Sequence, residues 1–261
     1  SSQRSFSTNI AKKQRRNLPP LFLYEERKVL FRAFPKRGGK GRILWYNTSK
    51  GDFSGCLGAQ MRIDKDVNDM QQAISKVKVL PPMDSMPVMK VLRYPLERAD
   101  FKPFAQARMC YLDGQGIFLM MWSFEVQPIC RGDDNDSFLI FKAQVAGEQE
   151  ICIKVNRQGV YRFTVNGWEH STDEIPCKMF TGEDLQGIYW GCELFITNSL
   201  LKSIYGVTNL ETGHMIKGNI FKTCDDSTFR HHGCLFCSEE QAERFDPAKL
   251  DNLGVFEIVD Y

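Results

Sequence analysis

Ile151-Cys152-Ile153-Lys154-Val155-Asn156-Arg157-Gln158-Gly159-Val160-Tyr161-Arg162-Phe163-Thr164-Val165 is the stretch whose reading decides the fold. Ile151, Ile153 and Val155 alternate with Cys152 and Lys154, the two-residue period of a strand with one face toward a core. The polar run Asn156 to Gly159 then turns the chain, with glycine where a left-handed residue is needed, into a second strand from Val160 to Val165. Two strands joined this closely are antiparallel.

Outward from this hairpin the same pattern continues. Gly116 to Val126 and Ser137 to Val145 are apolar on both faces, as expected of inner strands covered on both sides. Ile188 to Ile196 reads as another strand, followed by a short helix through Tyr205 that Thr197 or Asn198 can cap and Gly206 ends. Met215 to Thr223 and Leu253 to Tyr261 supply the last strands. About seven strands with one short helix predict an all-β, antiparallel β-sandwich of jelly-roll type, not a parallel α/β sheet. Pro81-Pro82 and Pro87 mark a linker, which places the start of the sandwich at Met89 and its span at 89–261.

The first part of the chain is of another kind. Residues 1–75 hold 15 Lys/Arg and 6 Asp/Glu, a net +9, while the remainder carries −7. Residues 1–20 are Ser-rich, basic and free of acidic residues, and read as a disordered, solvated arm. Nucleic-acid binding and an organelle transit peptide are the lesser readings of that arm, since Lys12-Lys13-Gln14-Arg15-Arg16 packs its charge in one block. Residues 21–88 form an extension and linker of unassigned fold. It contains a helix signal at Tyr24 to Phe34, a strand signal at Ile43 to Tyr46, and the basic glycine turn Lys36 to Arg42. That turn lacks the Ser/Thr of a phosphate loop.

No apolar run in the 261 residues approaches the ~18 needed to cross a bilayer as a helix. Nine cysteines are an odd number, and Cys110, Cys152 and Cys192 lie inside apolar stretches. The set reads as reduced thiols, which favours the cytoplasm.

Four segments, in order, resemble the stand-alone family 9-like carbohydrate-binding modules over about two thirds of the chain. Asp136-Ser137-Phe138-Leu139-Ile140-Phe141 resembles the Asp-Ser start of a core strand in that family, and Val155 to Gly159 its Asn-x-x-Gly hairpin. Trp190 to Ile196 with Leu200-Leu201 is similar to the strand and helix that follow. Gly218-Asn219-Ile220-Phe221-Lys222-Thr223-Cys224-Asp225-Asp226, then His231-His232, resembles the family's late Gly-Asn-x-x-Lys, acidic and His series. Two positions depart: Ile140 stands where the family usually has Glu, and Gly233-Cys234-Leu235 where Ser-Trp follows the histidine.

The resemblance implies a non-catalytic module that binds a mono- or oligosaccharide during carbohydrate catabolism, requiring no cofactor. A pyranose needs a flat ring under its C–H face and fixed donors and acceptors around its hydroxyl rim. Trp168, just past the Asn166-Gly167 turn, is the candidate platform; its other reading is a rim residue over the end of the sandwich. Trp122 and Trp190, within apolar strands, read as core. The resemblance adds Asn219, Lys222, Asp225, Asp226, His231 and His232 as polar contacts, which composition alone would read as a solvated loop.

Two metal readings accompany it. Asp133, Asp134 and Asp136 are calcium candidates, a structural calcium being the ion that modules of this family can carry, against the reading of a plain acidic turn. Cys224, His231, Cys234 and Cys237 are zinc candidates, because Cys-Leu-Phe-Cys has the gap that brings two thiolates to one ion. The rival functions are therefore a zinc-stabilised interaction protein and a glycoside hydrolase, for which Glu125, Glu193 and Asp225 are the carboxylates near strands.

Overall fold

The computed structural model describes residues 70–96 and 102–261. The arm at 1–20 and the helix, glycine turn and strand expected within 21–69 lie outside the described residues. The strands are β1 (Gln71–Val77), β2 (Met89–Val91), β3 (Ala105–Leu112), β4 (Gly116–Phe124), β5 (Phe138–Gln144), β6 (Ile151–Asn156) and β7 (Gly159–Val165). After them come β8 (Trp168–His170), β9 (Cys177–Asp184), β10 (Gly187–Thr197), β11 (Met215–Cys224), β12 (His231–Cys234) and β13 (Gly254–Asp260). Helix α1 (Asn198–Tyr205) follows β10 and helix α2 (Glu239–Glu243) follows β12.

The strands run in the order β8-β7-β6-β5-β11-β13-β1-β3-β4-β10-β9, with β12 added to β11 and β2 to β3. The sheet curls so that its two halves face each other across one core. Phe141, Ile153 and Phe163 enter it from the first half, and Leu119, Met121 and Leu194 from the second. This is the all-β sandwich that the alternation predicts. The hairpin of β6 and β7 forms as read, with Gly159 at φ +136°. Helix α1 is capped by Thr197, whose hydroxyl accepts from the Leu200 amide at 3.2 Å, and ends at Gly206 with φ +73°.

Three features depart from the sequence reading. The sheet is mixed, because β1 runs parallel to both its neighbours, β13 and β3. It also starts upstream of Met89, inside the stretch read as linker: Ile74 and Val77 are buried, but Gln71, Gln72 and Lys76 interrupt the alternation that would reveal the strand. The third departure is α2, opened by a capping box in which Ser238 and Gln241 satisfy each other's amides.

The two outer faces of the sandwich are not equivalent. On one, Phe138, Ile140 and Phe221 are sealed by Cys234, Cys237, Phe245 and Leu250, so β5 is buried on both sides as its sequence predicts. On the other, Met83 and Met86 pack with Phe118 at one end, and the face is open around the half-buried Met120 of β4.

Asn219 fixes the segment that covers the first face. At this residue β11 changes partner, from β13 at Met215 to Gly218 to β12 at Phe221 to Cys224. The Asn219 side chain spans the gap: its Oδ1 accepts from the amides of Ile220 (2.8 Å), Leu235 (3.1 Å) and Phe236 (3.0 Å), and its Nδ2 donates to the carbonyls of Phe236 (2.8 Å) and Asn252. Removing it strands buried backbone groups that cost ~1–3 kcal/mol each when unpaired. Asn219→Ala is therefore expected to lower unfolding free energy by about 3 kcal/mol, read as a drop in the urea midpoint; an unchanged midpoint would contradict this role.

Candidate functional site

Lys222 lies wholly inside the protein, with no exposed side-chain surface. Its ammonium sits 3.1 Å from Glu125 Oε2, donates to His231 Nε2 at 2.9 Å and lies 5.8 Å above the centre of the Trp190 ring. Glu125 also accepts from Trp190 Nε1 (3.1 Å) and the Ser137 hydroxyl (2.9 Å). Burial alone would raise the Glu125 pKa, but Lys222 and these donors outweigh it and hold the carboxyl below its ordinary value. His231 donates from Nδ1 to the Phe229 carbonyl at 2.7 Å, which leaves Nε2 as the acceptor facing Lys222. Burial first, and the Lys222 charge second, push its pKa down to about 3, so the imidazole is neutral.

Most of the polar residues singled out in the sequence thus turn into the fold, while Asp225 stays exposed. Asn219, Lys222 and His231 are fully buried and engaged with protein groups. His232 is buried too, its Nε2 2.9 Å from Asp225 Oδ1, while Asp226 pairs with Arg131 at 3.0 Å. The Thr228 amide, and the Arg131 charge after it, hold the Asp226 carboxyl below its ordinary range. Trp168 is elsewhere. It stands 79% exposed beyond the Asn166-Gly167 turn on β8, separated in the sheet from β11 by β7, β6 and β5.

Neither metal set assembles. Among the described residues no three His, Cys, Asp or Glu side chains converge to hold an ion. Asp136 instead accepts from the Arg131 and Gly132 amides and from Asn156 Nδ2, Asp133 from the Asn135 amide, and Asp134 pairs with Arg162. The three carboxylates organise their own loop. Cys224 donates to the Asn135 carbonyl and sits opposite His231 on the β11–β12 ladder, whereas Cys234 and Cys237 belong to the apolar cluster under α2. The hydrolase carboxylates are equally dispersed: Glu125 is buried, Glu193 pairs with Lys178, and Asp225 with His232.

The open outer face carries a cleft of 440 Å³. Gln106 and Arg108 reach it from β3, Met120 and Trp122 from β4, and Tyr189 from β10; Asp84 from the turn before β2 and Asp184 to Gln186 from the β9–β10 turn form its rims. Two glycines let the rings lie down on the strands. A Cβ at Gly182 would fall 2.4 Å from the Tyr189 hydroxyl, and one at Gly191 would fall 2.6 Å from both Phe180 and Trp122. Phe104, Phe124, Tyr189 and Phe180 continue the aromatic series, with successive centroids 5.7, 5.5 and 6.3 Å apart. Arg108 lies over the Trp122 ring at 5.4 Å and pairs with Asp84. Reading Trp122 as core captures its burial, 8% exposed, and misses that its remaining surface faces this cleft. Its signal was the row of partly covered residues (Gln106, Arg108, Met120, Tyr189) on one face of adjacent strands.

Flat rings beside fixed amides, carboxylates and a guanidinium are what a sugar face and its hydroxyl rim require. No family model matches the sequence, and no curated protein matches it. Solved structures do. A Bacteroides uniformis protein to which carbohydrate binding has been ascribed superposes with a TM-score of 0.53 at 17% identity, over 72% of this chain and 98% of the other. A family 9 carbohydrate-binding module from Caldicellulosiruptor kristjanssonii superposes at 0.50 in its complex with glucose, with 12% identity over 73% of this chain and 96% of that one. For a family 9 module from the same organism in complex with cellotriose the TM-score is 0.51, at 9% identity over 73% and 94%. The chain has a family 9-like fold. Within it, Ile140 occupies the position where the sequence resemblance expects a carboxylate, and it is sealed in the apolar cluster with Phe245 and Leu250.

The buried network sets two expectations. Lys222→Met leaves Glu125 charged and unpaired inside the sandwich and is expected to cost roughly 3–5 kcal/mol, whereas Lys222→Met with Glu125→Leu recovers much of that loss; equal destabilisation by both would refute it. His231 takes up its proton only near pH 3 in the fold but near its ordinary 6.5 when unfolded. The stabilisation is therefore complete above pH ~6.5 and lost as pH falls from there toward 3. Urea midpoints at pH 7, 5.5 and 4.5 should decline in the parent and decline less in His231→Asn.

Proposed function

We propose that this chain is a non-catalytic carbohydrate-binding module, one that recognises poly- or oligosaccharide in carbohydrate catabolism. The observation that carries the reading is the cleft on the open face, where Trp122 and Tyr189 lie beside Gln106, Arg108, Asp84 and Gln186. The family 9-like fold supports it. Tyr189, half-exposed and laid flat over Gly182, is the stacking ring, and the amide and charged groups meet the hydroxyls. Trp168 is a second exposed ring, remote from this cleft in the sheet order.

Binding without chemistry agrees with the dispersal of Glu125, Glu193 and Asp225, which share no cleft across which a glycosidic bond could be held. Among the described residues no helix is long and apolar enough to cross a membrane. A mono- or oligosaccharide is the partner proposed for the cleft.

Isothermal titration with glucose, cellotriose and xylotriose tests the reading. Binding of at least one is expected, and Tyr189→Ala should weaken it roughly 2- to 12-fold, the worth of about 0.5–1.5 kcal/mol of ring stacking. Trp168→Ala should leave it unchanged. Silence toward all three sugars at millimolar concentration would remove the proposal, and loss of binding in Trp168→Ala alone would move the site to β8.

A further inference from the structure

The arrangement of Arg108 deepens this reading and rests on it. The guanidinium is held on two sides, by the Trp122 ring beneath it at 5.4 Å and by Asp84, to which Nη1 donates. Nε is turned inward and, among the described residues, has no hydrogen-bond partner. Nη2 is then the donor group left to face the cleft. A planar donor whose position is fixed before the ligand arrives loses little side-chain freedom on binding, which is what separates Arg from Lys at such a place.

The charges around it matter as much. Asp84 and Asp184 line the same cleft, so two carboxylates stand against one guanidinium. The Asp184 Oδ1 accepts from the Gln186 amide at 2.7 Å, which fixes it on the rim. The Arg108 charge is already taken up by Asp84, and a carboxylate on an incoming sugar would meet Asp184 with no second cation among the described residues that line the cleft. Hydroxyls, in contrast, can donate to the two Asp and accept from Nη2 and the glutamine amides.

We propose that Arg108, clamped between Trp122 and Asp84, is the specificity-determining residue of the cleft: it reads sugar hydroxyls as a fixed planar donor, while Asp84 cancels its charge so that acidic sugars are rejected. Asp84 lines the cleft itself and, in rejecting acidic sugars, acts through Arg108. It lies 95% exposed on a short turn, so substituting it leaves the core untouched.

The test is calorimetric, on the whole chain, with cellotriose as the neutral probe and trigalacturonate as the acidic one. The parent is expected to bind cellotriose at least tenfold more tightly than trigalacturonate. Arg108→Lys, which keeps the charge and loses the fork, should weaken cellotriose roughly tenfold. Asp84→Asn should narrow the neutral-to-acidic ratio at least threefold, an effect that loss of structure would not produce; circular dichroism and melting temperature confirm that each variant is folded. Cellotriose binding unchanged or tightened in Arg108→Lys overturns the proposal. So does a parent that binds both probes equally, or an Asp84→Asn ratio that does not move. A parent that binds no sugar at all overturns the carbohydrate reading itself, and is thereby told apart from failure of the Arg108 assignment.

Discussion

A lysine ammonium with no exposed surface is the constraint around which this sandwich is organised. Water cannot solvate Lys222, so its charge must be met by Glu125 and its remaining protons by neutral acceptors. Glu125 follows β4, Lys222 lies in β11, Trp190 in β10, Ser137 just before β5 and His231 in β12. Five segments from both halves of the curled sheet are thereby held in one register at one end. The same network fixes a tautomer: with the Phe229 carbonyl on Nδ1 and an ammonium on Nε2, His231 has no place for a second proton.

That end of the molecule is a structural knot, and it separates what is available to a ligand from what is not. The inner faces are closed by the core and one outer face by the segment that Asn219 ties down. The outer face of β3, β4, β10 and β9 presents rings that lie low on the strands, because glycine at 182 leaves room for Tyr189 and glycine at 191 for Phe180.

Much of the fold was legible because it rests on local signals. Alternation at Ile151 to Val155, glycine at 159, and the Thr197 cap with its Gly206 stop each appear where the residues predict them. Strand β1 was not legible, since it is stabilised by backbone pairing on both sides and needs only Ile74 and Val77 as apolar anchors. The burial of the polar site candidates was not legible for a different reason. Lys, His, Asn and Asp near a strand end look alike in sequence whether they face solvent or one another. Burial of Lys222 and His231 depends on Glu125 and Trp190, residues far away along the chain. Trp122 shows the converse, a ring in an apolar strand whose remaining surface faces a cleft built with residues of β3 and β10.

Strand β1 has a consequence for how the molecule is made. Its two edges are filled by β3, which follows it closely, and by β13, which is synthesised last among the described strands. While the chain emerges from the ribosome, one edge of β1 therefore waits for almost the whole sandwich to be translated. The halves of the sheet cannot be joined until then, and pairing between such distant segments is slow because loop closure precedes any gain from contact. The nascent sandwich carries an open, sticky strand edge while β2 to β12 are made, and protecting that edge falls to whatever meets β1 before β13 does.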